Sequence, residues 1–262
     1  MAEFDGKVAI VTGGLSGIGH ATARLLAARG ATVVAAGIAP RHGGATEPLP
    51  SVVECVETDV TDERAVARLV AHAARSHGGL DILVAAAGIQ RYGTAADTGA
   101  DEWNEVLAVN VTGAFHAVKH ALPQLRARGA GSIVIVSSVQ AFVTQTSVAA
   151  YTTSKGALNA LARSIAVDEA KNGIRANAVC PASVDTPMLR ASARTFSDGS
   201  DRAAQALVEA WGGMHPLGRV ARPAEVAEAI AFLAGDRASF ITGVSLPVDG
   251  GLLANAAVAL PD

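Results

Sequence analysis

The chain has 262 residues, half of them apolar, and its 24 acidic and 21 basic side chains leave a net charge of −3. This suffices for a sizeable buried core, and the scattered, nearly balanced charge offers no basic field for nucleic acid or for an acidic membrane surface, which leaves a small-molecule substrate as the expected partner. Two cysteines, Cys55 and Cys180, lie far apart without CxxC or histidine company; they suggest neither a disulfide framework nor a zinc site and are consistent with a reducing cytoplasm.

The opening "MAEFDGKVAIVTGG" carries acids where a secretory signal needs a basic region before its apolar run. The uncharged segment from Gly129 to Ser154 is interrupted by Ser, Thr and Gln, so no membrane span is expected there. Along the chain, seven short aliphatic runs, "KVAIVTG", "ATVVAAG", "SVVECVETD", "LDILVAAAG", "SIVIVSS", "IRANAVCP" and "VSLPVDGG", read as strands. Between most of them lie helical stretches: "HATARLLAARG", "RAVARLVAHAARSHG", "NEVLAVNVTGAFHAVKHALPQLRARG" and "ALNALARSIAVDEAKNG". Near-continuous Val, Ile and Ala suits a parallel sheet covered on both faces, and right-handed crossovers make it doubly wound. With no linker or repeat in view, residues 1–262 read as a single α/β domain. "GIAPRHGGATEPLPS", from Gly37 to Ser51, predicts a short, loop-like crossover. The irregular stretch from Pro181 to about Pro216, with a helical candidate at "DRAAQALVEAW", falls beyond a strand's carboxyl end and predicts a substrate lid over about 182–216.

After the first strand comes "TGGLSGIGHATARLLAARG", in which Gly13, Gly17 and Gly19 separate an apolar strand from an amphipathic helix. Glycines there permit a tight turn and let amides at the helix N-terminus face a pyrophosphate. The spacing, G-x3-G-x-G, departs from the common G-x-G-x-x-G. At the end of the second strand, where an acid would mark NAD and an Arg NADP, stands Gly37-Ile38. Arg41 and His42 follow and read either as phosphate ligands or as solvated loop residues. Asp59 and Val60, in "TDV", read either as an adenine contact or as the start of a helix at Thr61.

Tyr151 and Lys155, four residues apart, share a helix face about 6 Å apart at Cβ. An ammonium beside a phenol favours the phenolate, so the pair predicts a tyrosine pKa lowered toward the working pH, suited to acid/base chemistry on an alcohol. "SIVIVSS" places Ser137 or Ser138 at the carboxyl end of the sheet, where a hydroxyl can hold a substrate oxygen.

With those motifs in hand, the chain resembles the short-chain dehydrogenase/reductase family. The resemblance spans nearly the whole length through "VAIVTGGLSGIG", "LAVNVTGAF", "IVIVSS", "YTTSK", "IRANAVCP" and "FITGVSLPVDGG". It implies a Rossmann-like, doubly wound seven-stranded parallel sheet in one domain, assembled as a homotetramer or homodimer, and reversible hydride transfer between NAD or NADP and a secondary alcohol or its ketone. By resemblance Tyr151 is the catalytic acid/base and Lys155 lowers its pKa and holds the nicotinamide ribose. Ser138, rather than Ser137, bonds the reacting oxygen, and Asn110 anchors a water in the proton relay. Gly13, Ser16, Gly17, Ile18 and Gly19 match the pyrophosphate turn, Gly88 the loop after the fourth strand, and Val184 and Thr186 the carboxamide contacts. Two departures adjoin the cofactor: Ala85-Ala86-Ala87-Gly88 replaces the usual Asn-Asn-Ala-Gly, and Pro181-Ala182 replaces Pro-Gly. With no basic residue in the glycine turn, NAD is favoured.

On the substrate side, Gln90, Arg91, Gln140, Thr144 and Gln145 predict a sugar, polyol or hydroxy acid (or a lactol) unless they are solvated loop residues. Arg190 and Arg194 read as carboxylate ligands or as surface charges. Two rivals are a ketoreductase of a less polar carbonyl and a non-catalytic dinucleotide-binding module, the latter disfavoured by the Tyr-Lys pair. No metal site is suggested. The tail "LLANAAVALPD" reads as an interface segment or a frayed end.

Overall fold

The computed structural model describes residues 2–38 and 48–255. Seven strands, β1 (Val8–Thr12), β2 (Thr32–Gly37), β3 (Val53–Glu57), β4 (Ile82–Ala85), β5 (Gly131–Val136), β6 (Ile174–Pro181) and β7 (Ser245–Val248), form one all-parallel sheet in the order β3-β2-β1-β4-β5-β6-β7. Each predicted aliphatic run contains one of them. The residues of β1, β4 and β5 are almost wholly buried on both faces, which is why these strands carry no polar alternation.

The described residues form eight α-helices: α1 (Gly17–Ala28), α2 (Glu63–His77), α3 (Ala100–Leu107), α4 (Gly113–Arg128), α5 (Ala149–Glu169), α6 (Pro187–Thr195), α7 (Asp201–Gly212) and α8 (Pro223–Ala234). One face buries Leu69, Leu125, Ile133 and Leu158 under α2, α4 and α5. The other buries Leu26, Val33, Val84 and Ile230 under α1 and α8. The predicted helix at "NEVLAVNVTGAFHAVKHALPQLRARG" is interrupted by a π turn at Ala108–Thr112, which joins α3 to α4 and carries the fully buried Asn110. Such single wide turns recur where a side chain must be re-aimed within a helix.

The chain reverses its direction of winding between β1 and β4, whose last residues, Thr12 and Ala85, are register partners. A crevice opens at that switch point, beyond the carboxyl ends of the strands. Residues 182–222 border it, with the expected helix at "DRAAQALVEAW" present as α7 and a further helix, α6, ahead of it. Helices α6 and α7 share a small core of Ala193, Ala204 and Val208, backed by Leu189 and Trp211. Pro187 at the start of α6 and Pro223 at the start of α8 fit a first helical position that needs no N–H donor. Predicted helix content extended to neither segment. The Gly37–Ser51 crossover, with Arg41 and His42, falls largely outside the described residues, as does most of the C-terminal tail. Among the described residues no helix is long and apolar enough to cross a membrane.

The amino ends of β1 and β4 are tied by a buried carboxylate. Asp81 accepts from Val8 N (2.9 Å) and pairs with both Nε and Nη2 of Arg128 at 3.1 Å. Because Arg128 is partly exposed, Arg128→Met should cost about 1–3 kcal/mol, less than severing a fully buried pair, read as a lowered urea midpoint at constant m.

Candidate active site

The crevice is a cavity of about 720 Å³ that runs from the glycine turn, past the ends of β4, β5 and β6, to the underside of α6 and α7. At its first end the backbone leaves β1 at Gly13 with φ +67°, and a Cβ there would sit 2.7 Å from Ala87 N, so the turn is packed directly on the loop after β4. Ser16 is the N-cap of α1 in extended conformation, yet its hydroxyl makes no capping bond. The first-turn amides of α1 and this hydroxyl are therefore available at a helix N-terminus that lines the cavity, a donor set that fits a pyrophosphate. Gly13, Ser16, Gly17, Ile18, Gly19 and Gly88 all line it, as do Val184 and Thr186 from the segment after β6. Thr186 caps α6, accepting from Leu189 N (3.3 Å) and donating to Val184 O (3.2 Å), which holds α6 beside the turn.

Asp59 and Val60 do not join them. The Asp59 carboxylate accepts from both N and Oγ1 of Thr61 (2.9 and 2.7 Å), and Val60 is buried against α4, its carbonyl bonded to His116 Nδ1. The helix expected to start at Thr61 is α2, which begins at Glu63 with Asp62 as its cap. The end of β2 carries no charge, and the Ile38 side chain is exposed.

At the middle of the cavity, α5 begins at Ala149, so Tyr151 and Lys155 face the cavity from its first two turns. Lys155 Nζ donates to Val136 O (3.0 Å) and lies 5.3 Å from the centroid of the Tyr151 ring. Two adjacent serines have separate tasks. Ser137 Oγ donates to Lys155 O (3.0 Å) and braces α5 against β5, whereas Ser138 presents its hydroxyl beside Tyr151 while donating to Pro181 O (3.4 Å) and accepting from Gln140 N (3.1 Å).

The expected lowering of the tyrosine pKa is not what the protein shows without cofactor. Burial pushes the Tyr151 phenol up to about 12, and the Ser138 hydroxyl only partly opposes this. Burial likewise pulls the Lys155 ammonium down to about 8, so burial penalises the charged form of both groups, although the ammonium still keeps its proton at pH 7. The attraction between phenolate and ammonium is outweighed by the cost of removing both charges from water.

Asn110 stands behind this group. Its Oδ1 accepts from Ile89 N (2.8 Å), and its Nδ2 donates to Ile89 O (3.0 Å) and to Ser154 Oγ (3.0 Å). Both amide protons are thus spent on protein, and the side chain clamps the loop after β4 onto α5. A Cβ on Gly88 would come within 3.4 Å of Asn110 Oδ1 and 3.6 Å of Lys155 Nζ, so that loop closes tightly over the ammonium.

The far end is two-sided. Gln90, Gln140, Thr144 and Gln145 line one wall, with Gln140 Oε1 accepting from Thr152 Oγ1 (3.1 Å) and Thr144 Oγ1 bonded to the same hydroxyl (2.7 Å). Ser147, the one described non-glycine residue with positive φ (59°), turns the chain from this wall into α5. The other wall, from α6 and α7, is apolar: Met188, Leu189, Phe196, Leu207, Trp211 and Met214. Phe196 meets Tyr92 edge to face at 4.5 Å between centroids, joining the α6–α7 segment to the loop after β4. The sequence reading expected polar groups only.

Arg190 is withdrawn from the site. Its guanidinium makes a bidentate pair with Asp185 (2.6 and 2.7 Å), and neither it nor Arg194, paired with Asp201, lines the cavity. Arg91 is bound to Glu105. Among the described residues, no Asp, Glu or Arg lines the cavity. Tyr92, Trp211 and His215 do; they fall in the loop after β4 and in the 182–216 segment expected to face the substrate, but none was singled out as a site residue.

Comparison with known proteins agrees with this geometry. A family described as "Enoyl-(Acyl carrier protein) reductase" matches residues 13–253. The chain is 44% identical over 255 residues to cis-4-hydroxycyclohexanecarboxylate dehydrogenase of Sinomonas cyclohexanicum, covering 96% of this chain and 98% of that one. It is 36% identical to meso-2,3-butanediol dehydrogenase of Serratia marcescens, covering 97% of each. Among solved structures, ligand-free aldohexose dehydrogenase of Thermoplasma acidophilum superposes with a TM-score of 0.92 at 38% identity, covering 100% of this chain and 99% of the other.

Proposed function

The chain belongs to the short-chain dehydrogenase/reductase family, an oxidoreductase acting on CH–OH groups, and from that premise we propose that it interconverts a neutral, hydroxylated secondary alcohol and its ketone. The observation that carries this reading is the placement of Tyr151, Ser138 and Lys155 midway along one cavity, between a phosphate-binding helix end and a half-polar, half-apolar substrate end. Dehydrogenases of this family use NAD(P), which accepts the carbinol hydride when bound.

Tyr151 takes the hydroxyl proton in oxidation and returns it in reduction, by microscopic reversibility. Ser138 orients the reacting oxygen toward that phenol, and its bond from Gln140 N fixes the hydroxyl's acceptor side so that its proton can swing from Pro181 O to the substrate. Lys155 supplies positive charge beneath the phenolate and donors toward the ribose. Asn110 is a positioning residue, acting through Ile89 and Ser154. Ser16 and the amides of α1 hold the pyrophosphate. NAD is favoured over NADP because neither the glycine turn nor Gly37-Ile38 supplies a cation for an additional phosphate. The α6–α7 segment acts as the lid over 182–216.

The substrate reading follows from the two walls. A cavity without Arg or carboxylate, half amide-lined and half apolar, suits a compact aliphatic or cyclic skeleton bearing hydroxyls better than a hydroxy acid. Of the relatives' named substrates, a butanediol and an aldohexose share that character, whereas 4-hydroxycyclohexanecarboxylate pairs its hydroxylated ring with a carboxylate. Exposed Val167 on α5, Phe115 on α4 and Phe240 before β7 support a homodimer or homotetramer.

The test is formation of reduced nicotinamide by the purified protein, with NAD and NADP in parallel, against cyclic alcohols, diols, polyols, sugars and hydroxy acids. The expected result is turnover of diols or hydroxylated rings, at least tenfold faster with NAD, an estimate of about 1.4 kcal/mol in discrimination. Turnover confined to charged or long-chain substrates, or none in either direction, overturns it.

A further inference from the structure

His215 lies in the turn that follows α7 and lines the far end of the cavity next to Trp211 and Met214. It is 4% exposed. Its Nδ1 is 2.8 Å from Asp249 O, and since a carbonyl can only accept, Nδ1 carries the proton. In the neutral ring Nε2 is then a bare acceptor. Among the described residues it is the buried side-chain nitrogen or oxygen that has no hydrogen-bond partner. Buried polar atoms are almost always paired, and one left unpaired in a ligand cavity marks a place where the ligand completes the bond.

The surroundings narrow what can complete it. Trp211, Met214 and Leu252 contribute apolar surface to the same cavity, and among the described residues no carboxylate or guanidinium lines it. An acceptor held in a fixed tautomer by Asp249 calls for an O–H or N–H donor, and the glutamines on the opposite wall serve either role, so they do not themselves choose a donor. The ring also belongs to the end of the α6–α7 segment, so it engages only what that segment covers.

We propose that His215 Nε2 accepts a hydrogen bond from a second hydroxyl of the substrate, one that is not oxidised, and so selects diols, polyols and hydroxylated rings over monoalcohols. The proposal rests on the dehydrogenase reading above and assigns one residue to its substrate preference.

The experiment compares kcat and KM for cyclohexane-1,4-diol with cyclohexanol, and for butane-2,3-diol with butan-2-ol, in the wild-type chain, His215→Asn and His215→Gln. Asparagine keeps a donor near the Nδ1 position for Asp249 O but removes the ε acceptor; glutamine restores an amide oxygen near that acceptor. His215→Asn is expected to lower the diol-to-monoalcohol ratio of kcat/KM about tenfold, mainly through KM, as loss of one hydrogen bond made equally in ground and transition state requires. His215→Gln is expected to recover part of the ratio. A ratio unchanged in His215→Asn, or the same ratio in Asn and Gln variants that both fall together on alcohol and diol, overturns the proposal.

A wild-type chain that oxidises neither class indicts the dehydrogenase reading instead, and a second readout then decides the role of His215. In protein labelled with 15N at histidine, titrated with cyclohexane-1,4-diol, the Nε2 resonance of His215 is expected to move with the backbone amides that report binding. Amide shifts with an unmoved Nε2, or no binding of the diol at all, overturn it.

Discussion

Tyr151→Phe is expected to reduce kcat about a thousand-fold in both directions while leaving cofactor affinity and the folded state intact. The estimate is the usual contribution of a positioned acid/base, and the substitution removes only the atom that carries the proton. The ring remains beside Lys155, the hydrogen bond between the phenol and Ser138 is lost, and the backbone hydrogen bonds of α5 are kept. Burial holds the phenol at about 12, so at neutral pH it keeps its proton and is poised to donate to a carbonyl oxygen. Oxidation needs the phenolate, and its kcat/KM is therefore expected to climb with pH through the alkaline range, whereas reduction falls there. The same shift has a stability consequence. A phenol raised from 10.0 to about 12 binds its proton more tightly in the folded state, a contribution fully present below pH 10 and lost as pH rises through 12. The Phe variant should lack both the alkaline climb in activity and that part of the alkaline loss of stability. A pH–rate profile and thermal melts across pH 7–11 check this; unchanged turnover in Tyr151→Phe would remove Tyr151 from the chemistry.

How far this site could be read from residues alone depended on whether the deciding interaction was local. The strands were legible because a strand buried on both faces must be apolar throughout, and β1, β4 and β5 are. Tyr151 and Lys155 were legible because helix geometry alone brings positions four apart together. Arg190 misled because its partner, Asp185, lies five residues back across the start of α6, and only the folded turn brings the two into a bidentate pair. The π turn at Ala108–Thr112 was hidden because one extra residue in a helix barely disturbs the apolar period. Helix α8 has a strongly apolar sequence with little one-sidedness, as befits a helix buried against α1 and β5, and so gave weak periodic contrast. His215, a lone histidine in "GGMHPLG", carried no signal at all: its role depends on Asp249, thirty-four residues later.

Lys155→Met is expected to separate function from stability more sharply than any other substitution here. Activity should fall about a hundred-fold or more, because the phenolate formed in oxidation loses the one Lys or Arg that, among the described residues, lines the cavity. Stability should move the other way. Burial lowers the ammonium from 10.5 to about 8, so the folded protein at pH 7 carries a charge it would shed if it could. A lysine whose pKa is depressed on folding imposes its full penalty below pH 8, and the penalty is relieved as pH rises from 8 toward 10.5, where the unfolded chain also loses its proton. Methionine fills a similar volume without charge. Against the gain stands the lost bond to Val136 O, so the net effect at pH 7 is about 1–2 kcal/mol of stabilisation, or roughly 2–6 °C in Tm for a chain of this size. The advantage of the variant should shrink between pH 8 and 10.5 and reverse once Val136 O is the sole difference. Melts of wild type and variant at pH 7 and pH 10 decide the matter: a variant less stable at pH 7 would mean that the ammonium is held by more than one carbonyl and a tyrosine face, and that this site is built around a charge rather than merely tolerating one.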